Sequence, residues 1–156
     1  MSHKVQYDKV YSFDLAGKVG FGTLTEKECF EILSDGRPSS HFLEVQLTKW
    51  FPELEHIKGC KDHDHVIKTG TKLVKIDAKN FTKSGGCKFM PSSMLGIGRT
   101  FNEKEFKRHA NEINYAICDI TRLPIVKVVF KKGDVLAEQY PKGQIGKKQR
   151  SVIFNE

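Results

Sequence analysis

Glu44, Asp64, Asp77 and Lys79 are the residues whose types and spacing suit chemistry on phosphate. Thirteen positions separate Asp64 in KDHDHVIKTG from Asp77 in LVKIDAKNF. In an extended strand successive side chains alternate between faces, so Asp77 and Lys79 share one face with Lys75. Lys72, Val74, Ile76 and Ala78 share the other. The apolar face can pack on a core while Asp77 and Lys79 point together into a cleft. Two carboxylates on adjacent antiparallel strands can converge on one divalent cation, and hard oxygen ligands with retained waters suit Mg²⁺, with Mn²⁺ as a substitute. Such a cation stabilises charge on phosphate and lowers the pKa of a bound water. A lysine beside it can orient or deprotonate that water, or neutralise the developing charge. Asp62 shares a strand face with Asp64 and is its rival as the ligand.

Other groupings compete for attention. His41 lies three residues before Glu44, on the same helix face. Cys60, His63, His65 and Cys87 invite a zinc reading, but C-x₂-H-x-H is not a finger spacing and Cys87 stands alone. Gly96-Ile97-Gly98-Arg99 can hold a phosphate through backbone amides and Arg99, or be a plain surface turn. Ser92 and Ser93 in the same stretch, and Lys83 before it, are candidate nucleic-acid contacts. Lys104, Lys107 and Arg108 form a basic helix face, and Lys147, Lys148 and Arg150 belong to a basic C-terminal region with Lys131, Lys132 and Lys142.

Charge placement favours a polyanion as partner. The chain has 156 residues and a formal net charge of +7. Residues 1–60 carry 7 Lys+Arg against 9 Asp+Glu, and residues 61–156 carry 19 against 10, so the excess lies wholly in the second part. A length of 156 residues suits one domain. The hydrophobic class, 38%, argues against disorder. No apolar run approaches the ~18 residues of a membrane span, and the N-terminus lacks the apolar core of a secretory signal. Four scattered cysteines suit reduced thiols, so the expected setting is cytoplasmic.

The elements that position these residues follow from pattern. Residues 5–13 alternate as a strand. Thr25 opens a helix with Glu28 completing a capping box; it is expected to bury Cys29, Phe30, Ile32 and Leu33 and to stop at Asp35-Gly36. Ser39 or Ser40 is expected to cap a second helix ended by Pro52. Extended segments follow near 53–58, 61–68 and 71–81, the last two joined at Lys68-Thr69-Gly70-Thr71. Residues 82–101 read as a long loop. Asn102 and Glu105 form a capping box, with Phe101 and Phe106 as its staple, on a helix running to about Asn114. Tyr115–Ile120 and Ile125–Phe130 read as strands, Lys132-Gly133-Asp134 as a turn leading into Val135–Ala137, and Ser151–Phe154 as a last strand.

In this order the chain resembles the PD-(D/E)XK nuclease superfamily, whose core is helix, three-stranded meander, helix, strand. The match covers about residues 40–130. Asp77-Ala78-Lys79 corresponds to the (D/E)-x-K half, Asp64 to the preceding acidic residue, and Glu44 to the glutamate many members carry on the first helix. His63 stands where the family has proline. The resemblance implies an α/β fold of the α+β type: a restriction-endonuclease-like core with a central mixed β-sheet flanked by helices, all in one nuclease domain spanning 1–156. It implies Mg²⁺-dependent hydrolysis of phosphodiester bonds in double-stranded DNA, of the restriction or homing type. Asp64, Asp77 and Glu44 would bind metal and Lys79 would assist the water. Cutting both strands with one site per chain implies a homodimer. A junction resolvase of the same superfamily, a His-Asn-His nuclease based on His63 or His65, and a non-catalytic basic nucleic-acid-binding module are the alternatives.

Overall fold

The computed structural model describes residues 2–59 and 63–156. The chain forms strand β1 (Val10–Asp14), helices α1 (Glu26–Leu33) and α2 (Gly36–Trp50), and strands β2 (Glu55–His56), β3 (His65–Thr69) and β4 (Lys72–Phe81). Then come the short strand β5 (Cys87–Lys88), helix α3 (Glu103–Glu112), and strands β6 (Asn114–Arg122) and β7 (Ile125–Lys132). Helix α4 (Gly133–Gln139), strand β8 (Gln144–Ile145) and helix α5 (Arg150–Ile153) complete it. Six strands make one sheet in the order β1-β7-β6-β4-β3-β2, while β5 pairs with β8 apart from it. Within the large sheet β4 and β6 run parallel and the other neighbours antiparallel. Parallel neighbours need a crossover, and the segment carrying β5 and α3 supplies it. The architecture is therefore a mixed α/β fold with helices flanking a six-stranded mixed sheet.

Alternation along the central strands divides the core into two layers. Ile76 on β4, Ala116, Cys118 and Ile120 on β6, and Val126, Val128 and Phe130 on β7 join Leu43 and Leu47 of α2 and Phe51 just after it. Phe81, Tyr115, Ile117 and Val129 face the opposite way, onto Phe106 and Ala110 of α3, Leu136 and Ala137 of α4, and Ile153 of α5. A fully buried aliphatic such as Leu47 contributes about 1.5–3 kcal/mol by leaving water. The apolar face of β4 is spent on α2, which leaves Asp77 and Lys79 on the face toward α3.

Several expectations need correction. The second helix starts at Gly36, not at Ser39 or Ser40. Asp35 caps it, its Oδ1 accepting from the Arg37 N–H at 2.9 Å. Pro38 then falls in the first turn, where a missing N–H leaves no bond unmade. Ser39 is buried with its hydroxyl on the Leu33 carbonyl. Helix α1 keeps the Thr25–Glu28 box but buries only Cys29 and Leu33; Ile32 is 42% exposed. Asn102 does cap α3, accepting from the Glu105 N–H at 3.0 Å, but the Glu105 carboxylate turns to Arg108 at 2.9 Å. The segment 82–101 contains β5 and a single 3₁₀ turn at Ser92–Met94, ladders too short to show a period. Val135–Ala137 lies in α4, and residues 150–153 form α5 where Ser151–Phe154 reads as a strand. Val152 and Ile153 favour strands locally, and tertiary context overrides them.

Candidate active-site cleft

Strand β4 outruns its neighbour. The β3 ladder ends at His65 opposite Ile76, with the Asp64 N–H on the Ile76 carbonyl at 3.1 Å. On that side no strand among the described residues pairs with 77–81. Asp64, the residue just before β3, reaches across the gap: its Oδ2 accepts from the Ala78 N–H at 3.0 Å. Farther along, Asn80 Nδ2 donates to the Gly36 carbonyl at 3.1 Å and to Ser40 Oγ at 3.2 Å, joining the bare edge to the start of α2. Here a cleft of about 1170 Å³ opens, lined by Glu44, Asp64, Asp77 and Lys79 together with the turn at 92–95 and one side of α3.

The deepest charges sit together. Lys79 Nζ lies 3.1 Å from Asp77 Oδ2, with the two side chains only 20% and 14% exposed. The Asp64 side chain neighbours Asp77. Burial is the main cause that pushes Asp77 up, to about 8; Lys79 opposes the shift and Asp64 adds to it. Glu44, at mid-helix on α2, is also raised, by burial and then by the Asp64 charge. Its Oε2 meets His56 Nε2 at 3.2 Å. His65 beneath it is buried, its Nε2 2.7 Å from the Glu44 carbonyl, and burial pushes its pKa down.

The sequence candidates divide by placement. Glu44, Asp64, Asp77, Lys79, Ser92, Ser93, Arg99 and Arg108 line the cleft. Arg99 Nη1 donates to the Ser92 carbonyl at 2.5 Å, and Arg108 pairs with Glu105 and Glu112. Lys104 and Lys107 are exposed on α3, the latter 3.5 Å from Glu103. Lys83 and Lys147 border a smaller cavity of about 440 Å³ beside Arg150, and Lys148 is exposed nearby. Arg150 is turned inward: its guanidinium binds Asp119, Thr121 Oγ1 at 3.0 Å and Glu156 at 2.5 Å. Cys87 is a core residue whose thiol burial raises to about 12, and His65 is enclosed, so neither is presented to a ligand. Asp62 and Cys60 lie outside the described residues.

Sequence reasoning missed Arg37, Lys88 and Asn80 as cleft residues. Arg37 was hidden by the misplaced helix start, and Lys88 by the brevity of β5. For Asn80 the signal existed: it is two residues past Ala78, on the edge that must be covered.

Among the described residues no group of three or more His, Cys, Asp or Glu side chains is arranged to hold a metal ion. The fit to Mg²⁺ rests instead on two carboxylates, which is the number Mg²⁺ commonly takes beside waters and phosphate oxygens. The cleft lining is otherwise balanced, with five carboxylates (Asp35, Glu44, Asp64, Asp77, Glu105) against five cations (Arg37, Lys79, Lys88, Arg99, Arg108). No helix among the described residues is long and apolar enough to cross a membrane. Comparison with family models, with curated proteins and with solved structures finds no match for this chain.

Proposed function

We propose that the cleft is the active site of a Mg²⁺-dependent endonuclease of the PD-(D/E)XK kind, hydrolysing phosphodiester bonds in double-stranded DNA as a homodimer. One observation carries this reading: two neighbouring half-buried carboxyls, Asp64 and Asp77, with an ammonium 3.1 Å from one of them, in a large open cleft. Burial holds a proton on Asp77 well above the usual carboxylate range, and a cation beside it would compete with that proton. The element order supports the same reading: α2, the β2-β3-β4 meander, α3, then β6 parallel to β4.

Asp64 and Asp77 would hold the metal, and Glu44 would ligate through water or serve a second ion. When bound, Mg²⁺ supplies charge stabilisation to the phosphate and a more acidic water. The chain supplies the rest. Asp77 would have to release its proton to serve as a ligand. Lys79, 3.1 Å from Asp77, would offer its Nζ to the water or the phosphate oxygens, and Asn80 with Asp64 holds the strand edge in place. Arg99, Ser92 and Ser93 offer donors to flanking phosphates, and exposed Lys104, Lys107, Lys147 and Lys148 add general attraction.

Plasmid nicking tests the reading, with Mg²⁺ or EDTA, for wild type, Asp77→Asn and Lys79→Ala. Wild type nicks only with the metal. Lys79→Ala lowers the rate about 10²–10⁴-fold, while filter binding of DNA persists. Equal behaviour of wild type and variants, or binding with no metal-dependent nicking, would make the chain a non-catalytic module. A duplex RNA arm checks the choice of substrate.

A further inference from the structure

One side chain at the cleft rim has no packing partner among the described residues to account for its placement. Ile97 has 105% relative exposure, whereas the other exposed large hydrophobics reach 37–59%. Single exposed aliphatics are ordinary on protein surfaces; this one is held out. Gly96 (φ +100°) and Gly98 (φ +77°) flank it, both in backbone conformations that side-chain-bearing residues rarely adopt. A Cβ on either glycine would meet nothing within 4 Å, so these positions answer to backbone conformation and not to crowding.

The stems of this tip are fixed. Leu95 and Phe101 pack on the core, and the Arg99 guanidinium spans back to the Ser92 carbonyl at 2.5 Å. Leu95 and Arg99 also line the cleft, which places Ile97 two residues from its wall on either side. Ile97 is β-branched and therefore stiff at χ1. An exposed aliphatic side chain standing out beside a cleft is of the kind that proteins insert to part stacked bases.

We propose that Ile97 is a wedge that enters between neighbouring bases of the duplex held in the cleft, opening the stack and setting which phosphodiester faces Asp64, Asp77 and Lys79. This rests on the nuclease reading, and it adds a positioning residue that neither carboxylate nor lysine chemistry requires.

The test uses short duplexes taken from regions that wild type nicks, each with 2-aminopurine beside the nicked bond. The Lys79→Ala protein is added with Mg²⁺, so that the duplex stays intact. Binding should raise 2-aminopurine fluorescence, as unstacking does. Adding Ile97→Ser should abolish the rise and weaken binding about tenfold, the loss expected for one aliphatic side chain no longer buried. Adding Ile97→Leu should preserve most of both. In the otherwise wild-type chain, Ile97→Ser should scatter the nicking positions with no change in urea midpoint. Normal binding and nicking with silent 2-aminopurine would overturn the wedge and leave the nuclease standing. So would an Ile97→Ser effect confined to self-association. Absence of all nicking and DNA binding would overturn both.

Discussion

Replacing Asp77 with asparagine in metal-free protein should flatten the fall in stability between acid and alkaline pH. Asp77 sits at 14% exposure beside the Asp64 side chain. Burial, and then Asp64, raise it from 3.8 to about 8 against the pull of Lys79. The folded chain thus keeps a proton that the unfolded chain has released throughout the interval from about pH 4 to pH 8. Stability then falls as pH rises across that interval, because the folded state binds more protons. Full linkage over such an interval amounts to on the order of 5 kcal/mol, and water entering the open cleft reduces it toward half of that. An asparagine at this position would imitate the protonated acid, since it has nearly the same shape and no charge to acquire. Urea melts in EDTA at pH 5, 7 and 9 measure the effect. Wild type should lose about 2–4 kcal/mol more than Asp77→Asn between the lowest and highest pH, with m-values unchanged. Mg²⁺ should restore wild type at pH 9, where the pair is ionised, and do little at pH 5. Parallel pH profiles for the two proteins would refute the proton kept on Asp77, and with it the account of how the site accepts a cation.

Two further outcomes concern the frame around the site. Arg150→Ala leaves Asp119, whose side chain is 2% exposed, as a buried carboxylate without its cation. It should lower stability by about 3–5 kcal/mol in urea melts, while the salt dependence of DNA binding by the folded fraction stays unchanged. Gly133→Ala would set a Cβ 1.8 Å from the Ile113 carbonyl oxygen and 2.1 Å from that of Ala110. The start of α4 must then move off the end of α3, and the urea melt should show a loss larger than the roughly 1 kcal/mol scale of an ordinary substitution.

What the sequence discloses is what local pattern encodes. The long alternation of LVKIDAKNF declares β4 and the shared face of Asp77 and Lys79. Thr25–Glu28 and Asn102 declare helix starts through side chains that can reach only nearby N–H groups. The meander and the parallel return of β6 follow from segment order. Hidden features depend on distant partners. Arg150 reads as one more basic residue until Asp119 and Glu156 are seen to enclose it. Helix α5 forms from strand-favouring residues because that anchor and the burial of Ile153 and Phe154 hold it. The approach of Asp64 to the end of β4 lies between these cases: the spacing suggests convergence, and only the unequal lengths of β3 and β4 bring it about.

That inequality of length also bears on solubility. A strand whose ladder stops early leaves N–H and C=O groups that another chain can adopt, which is how edge-to-edge aggregation begins. On this edge the Ala78 N–H is occupied by Asp64, and Asn80 is tied to the start of α2 by its side chain. The polar groups of the cleft are therefore also guards on an unfinished sheet. Variants that empty the cleft of side chains, Asp64→Ala with Asn80→Ala above all, would leave a sticky margin, and insoluble protein from such variants would report the loss of that guard.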